Sequence, residues 1–157
     1  GLVPVIEDDG FVLWESNAIV RYLARVHGAG TLWPDDASEG ADADRWMDWQ
    51  ATELNNAWRY AFMALVRKSP AHTDPAQVAA SVVQWNRYLT LLDRQLQATR
   101  AFVTGPRFTL ADIVLGLSVK RWLMAPIERP PLPALDEYHA KLLDRPGFQA
   151  HGANGEP

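Results

Sequence analysis

Cysteine is missing from all 157 residues, so the chain can form no internal disulfide, supply no thiol nucleophile and offer no thiolate to a metal. The four histidines (His27, His72, His139, His151) stand on separate segments without ligand spacing, and no metal site is expected from them. No apolar run approaches the ~20 residues that a membrane-spanning helix needs, and no secretory signal is seen at the start. Cytoplasm is the matching expectation for location. Basic clusters are lacking too. The net charge is −4 and Arg67-Lys68 is a single basic pair, which leaves no electrostatic footprint for nucleic acid. Charged residues, at 22%, are too few and too evenly mixed for a disordered chain. Internal repeats and low-complexity tracts are absent. So is a starting methionine: the sequence enters at Gly1 directly on an apolar run, and is expected to continue a segment that lies outside it.

What remains is a globular composition, 48% hydrophobic, long enough for one well-buried domain or for one domain plus a fragment of another. Leu2 to Ile6 form a short apolar run, and Phe11-Val12-Leu13-Trp14 a second. The acidic stretch between them ends in Asp9-Gly10, a hairpin signal in which Gly10 supplies positive φ. Pro4 denies the first run one ladder hydrogen bond, so that strand is irregular or at an edge. Glu15-Ser16-Asn17 ends the second run. Ile19, Leu23 and Val26 then repeat at helical spacing up to a C-cap at Gly28. Residues 29–37, with Gly, Thr, Pro and Asp, read as a linker.

Two long stripes follow. Met47, Ala51, Leu54, Trp58, Ala61 and Leu65 advance by alternating steps of four and three, and Val78, Val82, Trp85, Leu89, Leu92 and Leu96 do the same. Asp74-Pro75-Ala76-Gln77 opens the second with an N-cap residue, a proline at the first helical position and a glutamine at the third. An antiparallel helix hairpin is predicted. From Leu110 to Leu123 apolar side chains surround the whole cylinder, which predicts a helix at the centre of the core. Thr109 and Asp112 form a capping box at its start and are read as structural, the threonine contributing about 1 kcal/mol. Pro126 to Pro133 is a rigid connector, a last helix covers about Ala134 to Leu143, and Arg145-Pro146-Gly147 breaks it. Residues 151–157 read as a loose tail.

Gly1-Leu2-Val3-Pro4-Val5-Ile6, then Leu13-Trp14-Glu15-Ser16-Asn17-Ala18-Ile19 and Tyr22-Leu23, resemble the second half of the thioredoxin-like domain of cytosolic glutathione transferases. Thr109-Leu110-Ala111-Asp112 resembles the capping box of that family's buried sixth helix, and Leu132 to Phe148 its closing segment. Four motifs in the family's order cover about Gly1 to Ala150, and bacterial theta- or beta-like members are the most similar subgroups. The resemblance implies a mainly α chain, in which an all-helical C-terminal domain (38–150) follows a β-hairpin and helix (1–28) left from the thioredoxin-like α/β domain. It also implies a homodimer that joins glutathione, its co-substrate, to a small electrophile, as in detoxification. Reductive and dehalogenating chemistry are not separated from conjugation.

The same resemblance places glutathione on Val3, Pro4, Glu15 and Ser16. A cis Val3-Pro4 bond would turn the valine's N–H and C=O outward to pair with the cysteinyl backbone. The N-terminus of a helix at Ser16 would take the γ-glutamyl carboxylate, and Glu15 the ammonium. Read without the resemblance, Glu15-Ser16 is a capping pair. The electrophile pocket would draw on Asn56, Arg59, Tyr60, Met63 and Trp122, whereas Trp46 and Trp49 equally suit a domain or dimer interface. The family's thiol-activating Ser, Tyr or Cys matches nothing here, so the catalytic residue is unknown and this chain by itself is expected to be inactive. The strand at Val3 to Ile6 would also lack its usual neighbour, leaving it frayed, paired with a second copy, or completed by residues outside the sequence. The alternative is a non-catalytic binding or assembly module of the same fold.

Overall fold

The computed structural model describes residues 3–155; Gly1 and Leu2 of the first apolar run, and Glu156 and Pro157 of the tail, lie outside the described residues. The hairpin pairs β1 (Val5–Asp8) with β2 (Phe11–Trp14), antiparallel, with Asp8 opposite Phe11. Asp9 and Gly10 alone make the turn, both at positive φ (49° and 85°), the geometry that suits the right-handed twist of a two-residue hairpin. The first strand starts after Pro4 rather than at Leu2 and takes in Glu7 and Asp8. The proline has no N–H for the ladder, so pairing begins one residue later. α1 (Ser16–His27) follows directly, and Gly28 closes it by donating to the Ala24 carbonyl. Gly28 caps with φ of −128° rather than in the left-handed region. Tyr22 ties the helix back to the hairpin, donating to Asp8 at 2.7 Å and packing on Phe11.

The linker is folded rather than slack. The Trp33 N–H bonds to the Gly28 carbonyl, Arg25 lies 4.1 Å over the Trp33 ring, and the Leu32 carbonyl accepts from Leu110. Asp36 then caps α2 (Ala37–Trp49). A π-helical turn, Gln50–Leu54, joins α2 to α3 (Asn55–Leu65) without interrupting the rod. That turn corrects the predicted stripe. A π turn takes an extra residue per revolution, so Ala51 is exposed and Gln50 is buried in its stead, while Met47, Leu54 and Ala61 stay in the core. α4 (Pro75–Thr99) begins as expected. The Asp74 carboxylate accepts from Ala76 and Gln77, and Trp85, Leu89, Leu92 and Leu96 are buried against α3 and the rest of the core.

α5 (Leu110–Met124) runs through the centre. It is not buried all round: Leu117 is exposed and Ile113 half-buried, an i, i+4 edge that the pattern gave as core. α6 (Pro133–Leu143) packs on α4 and α5, and Gly116 is where it comes closest. A Cβ at that glycine would lie 2.6 Å from a Leu142 methyl. The chain breaks after Leu143, as predicted, but makes a further turn, Phe148–Gly152, that packs back on α5. The segment beyond is held as well, because the Lys120 ammonium meets the Asn154 side chain. Residues 151–154 therefore depart from the expected loose tail.

Asp112 does more than cap α5. The box is present: its carboxylate accepts from the Thr109 N–H at 2.9 Å, and the Thr109 hydroxyl lies 3.3 Å from the same oxygen. The other carboxylate oxygen accepts from the Val103 N–H (2.9 Å) and from the Tyr138 hydroxyl (3.0 Å). Burial raises the Asp112 pKa, opposed by these bonds. Removing the carboxylate would strand buried donors from three segments, each worth about 1–3 kcal/mol. Asp112→Ala is expected to lose about 3 kcal/mol or more in urea denaturation, and Thr109→Ala only about 1 kcal/mol. Equal losses would contradict the shared role.

Candidate functional site

The candidate site is where β2 runs into α1. Its first part is the Val3-Pro4 bond, which is cis, with the Val3 side chain almost fully exposed beside it. Its second part is Glu15. This residue holds φ of 78° and ψ of 121°, a backbone conformation that non-glycine residues rarely adopt and that clusters at functional sites. The bend swings its side chain over the helix start, where the carboxylate accepts from the Ala18 N–H at 3.0 Å. Its carbonyl accepts from Ile19. One of the orphan donors of α1, at Ala18, is thereby satisfied, and Ile19 makes the first regular helix bond. The backbone N–H groups of Ser16 and Asn17 have no partner among the described residues. They stand at the positive end of the helix, and with the exposed Ser16 hydroxyl, 3.4 Å from Glu15, they suit a carboxylate. An anionic side chain beside them suits a cation. The two charges of an α-amino acid head group match that pairing.

What holds this mouth against the helical domain is a polar seam. Arg21 donates from Nε to Asp44 at 2.6 Å and also pairs with Asp48, both on α2. Behind it, the buried Asn17 side chain lies 3.5 Å from the Met47 carbonyl. One turn further on, buried Gln50 donates to Ser118 on α5 (3.0 Å) and to Asn55 (3.1 Å), and Asn55 accepts from the Trp58 indole (3.0 Å). This run of bonds leads from the mouth of α1 along the rod. Sequence reasoning passed over Gln50, Asn55 and Ser118. Their signal was a polar residue at core spacing: Gln50 stands three after Met47 and four before Leu54, and Ser118 four after Val114.

The five residues expected around an electrophile do not line one pocket. Asn56 and Tyr60 border a groove toward α4 that also includes Glu53, Ser81 and Tyr88. Tyr60 lies edge-on against His72 and accepts from the Asp74 N–H. Arg59 is exposed and Met63 half-buried. Trp122 is buried and turned toward α4, where its indole donates to Asn86 at 2.8 Å. The reason is angular: successive residues of a helix are ~100° apart, so five positions chosen along two helices spread over three faces. Trp46 is buried and stacks edge-on with Trp49, which meets Tyr88. Trp46 is thus part of this chain's own core.

Comparison with known proteins accords with this geometry. Residues 1–25 match the family described as glutathione S-transferase, N-terminal domain, and residues 55–146 match glutathione S-transferase, C-terminal domain. Glutathione S-transferase GstB of Escherichia coli K12 is 38% identical over 151 residues, covering 95% of this chain and 72% of the relative. The theta class glutathione S-transferase of Xanthomonas axonopodis pv. citri, solved with glutathione bound, superposes with a TM-score of 0.85 at 39% identity, over 93% of this chain and 76% of that one. Elongation factor 1-gamma of Trypanosoma cruzi is 32% identical over 121 residues, which is 76% of this chain but 28% of that protein.

The seam makes its own prediction. Arg21→Ala is expected to weaken the attachment of α1 and the hairpin by about 1–2 kcal/mol, since one partner carboxylate is half-buried and the other exposed. Hydrogen exchange should show faster amide exchange in residues 5–27 with the helical core unchanged. Uniform acceleration over the whole chain would count against a local seam.

Proposed function

The chain belongs to the cytosolic glutathione S-transferase family, and from that premise we propose that it binds glutathione at the mouth of α1 and serves an enzyme that joins the tripeptide to a small electrophile. The observation that carries this reading is the pairing at Glu15 and Ser16. Two unpartnered helix N–H groups and one carboxylate sit side by side, shaped for the γ-glutamyl carboxylate and ammonium. The backbone of Val3, beside Pro4, would pair with the cysteinyl unit as a short strand does. In this reading residues 1–28 hold the tripeptide, 29–37 connect, and 38–150 frame the second substrate. The protein acts as a cytoplasmic homodimer.

The chemistry requires a thiolate, which the protein favours by donating a hydrogen bond to sulfur and so lowering the thiol pKa. No residue of this sequence matches the family's activating segment, so these residues position the tripeptide rather than activate it. The likeness to elongation factor 1-gamma supports a second reading, a non-catalytic module of the same fold.

Calorimetry separates the two. Glutathione titrated into the protein is expected to bind, with Ser16→Ala raising Kd about tenfold, or ~1.4 kcal/mol. A folded protein that gives no heat with glutathione would be the module. A polypeptide of these 157 residues alone is expected to conjugate glutathione to a model electrophile no faster than the uncatalysed reaction. Turnover at rates usual for an enzyme would overturn that assignment of roles.

A further inference from the structure

Arg121 sits near the end of α5, half-buried, and its Nε is fully shielded from solvent without a hydrogen-bond partner. No carboxylate or carbonyl accepts from its guanidinium among the described residues. Its neighbours are aromatic. The guanidinium carbon is 4.6 Å from the centre of the Trp58 ring and 5.3 Å from that of Phe62. Arg67, exposed at the end of α3, lies 5.4 Å over the same Phe62. Two cations thus lie against one ring, and no carboxylate among the described residues pairs with Arg121.

Arg21, also partly buried, and the exposed Arg129 are treated differently. Arg21 has Asp44 and Asp48, and Arg129 donates to the carbonyls of Trp122 and Ala125. Burying a guanidinium without a counter-charge is costly, and ring faces repay only part of it. Burial and the neighbouring Arg67 both pull the Arg121 pKa downward, the direction expected of a cation lacking its partner.

Position adds a second argument. Met47, beside the mouth of α1, and Trp58, against Arg121, lie on the same rod, roughly 16 Å apart at 1.5 Å per residue. The polar run through Gln50, Ser118 and Asn55 spans that interval. In the transferase reading, the head-group site at Ser16 stands at one end of this run and Arg121 at the other.

We propose that Arg121, assisted by Arg67 and walled by Trp58 and Phe62, is a specificity-determining anion site that selects second substrates bearing a carboxylate or sulfonate on a flat apolar body. The inference deepens the transferase reading and rests on it for the word substrate. The anion site itself can be tested without turnover. The probe is 1-naphthoate, compared with the neutral 1-naphthamide, each titrated into the protein by calorimetry.

The acid is expected to bind at least tenfold more tightly than the amide, with the preference shrinking as salt is raised. Arg121→Met should abolish the preference and Arg121→Lys restore part of it. Arg67→Gln, at an exposed position that cannot disturb the fold, should reduce it severalfold. Glutathione affinity should be unchanged in all three variants. Equal binding of acid and amide by the native protein, or an undiminished preference in both Arg121→Met and Arg67→Gln, would overturn the proposal and leave Arg121 a packing residue. Acid preference without glutathione binding would uphold the anion site while the transferase reading fell. Glutathione binding with no acid preference would sink this inference alone.

Discussion

The Asp112 carboxylate is the point at which three stretches of chain distant in role are made to agree. It faces the backbone of Thr109 at the start of α5, the backbone of Val103 in the loop before it, and the Tyr138 hydroxyl on α6. A buried charge is tolerated here because its lone pairs are answered, and those answers can be given in only one arrangement of the segments. α5 is thereby fixed in rotation about its own axis. That rotation decides that Ser118 meets Gln50, that Trp122 meets Asn86, and that Arg121 lies between Trp58 and Phe62. The candidate site for a second substrate is a consequence of how the core helix is set.

The mouth of α1 depends on the same helix less directly. Arg21 fastens α1 to α2, and α2 packs on α5. The hairpin leans on α1 through Tyr22. Buried Ile19 and Ala24 also set α1 directly against the core, so its position rests on packing as well as on these partly exposed polar contacts. Val5, Phe11, Val12, Trp14 and Val26 keep much apolar surface in view on this outer unit, so its contribution to the folded core is small beside that of α3, α4 and α5.

Legibility from sequence followed the range of the interactions. Asp9-Gly10, Asp74-Pro75 and Thr109 with Asp112 act within a few residues of themselves, and each could be assigned because its partner was in the same window. The stripe from Met47 to Leu65 was half legible. Apolar spacing marked the rod, but no residue type announces a π turn, so the exchange of Ala51 for Gln50 was hidden. Glu15 and Ser16 were singled out by resemblance, while the backbone bend at Glu15 was not, since nothing in the residue itself favours φ of 78°. The expected pocket residues are spread over several faces for a different reason. Tyr60 and Trp122 take their directions from Asp74, His72 and Asn86, partners on other segments that a linear reading cannot supply.

The turn at Gln50–Leu54 has a further meaning for the long rod that contains it. It acts as a phase jump: the backbone continues, but the side-chain clock is reset between the two halves. The first half can keep its face toward α1 while the second keeps a different face toward α4. Neither has to compromise for a shared angular register. Substitutions that refine one contact surface are thereby decoupled from the other, and a single uninterrupted helix carries two interfaces that are free to diverge independently.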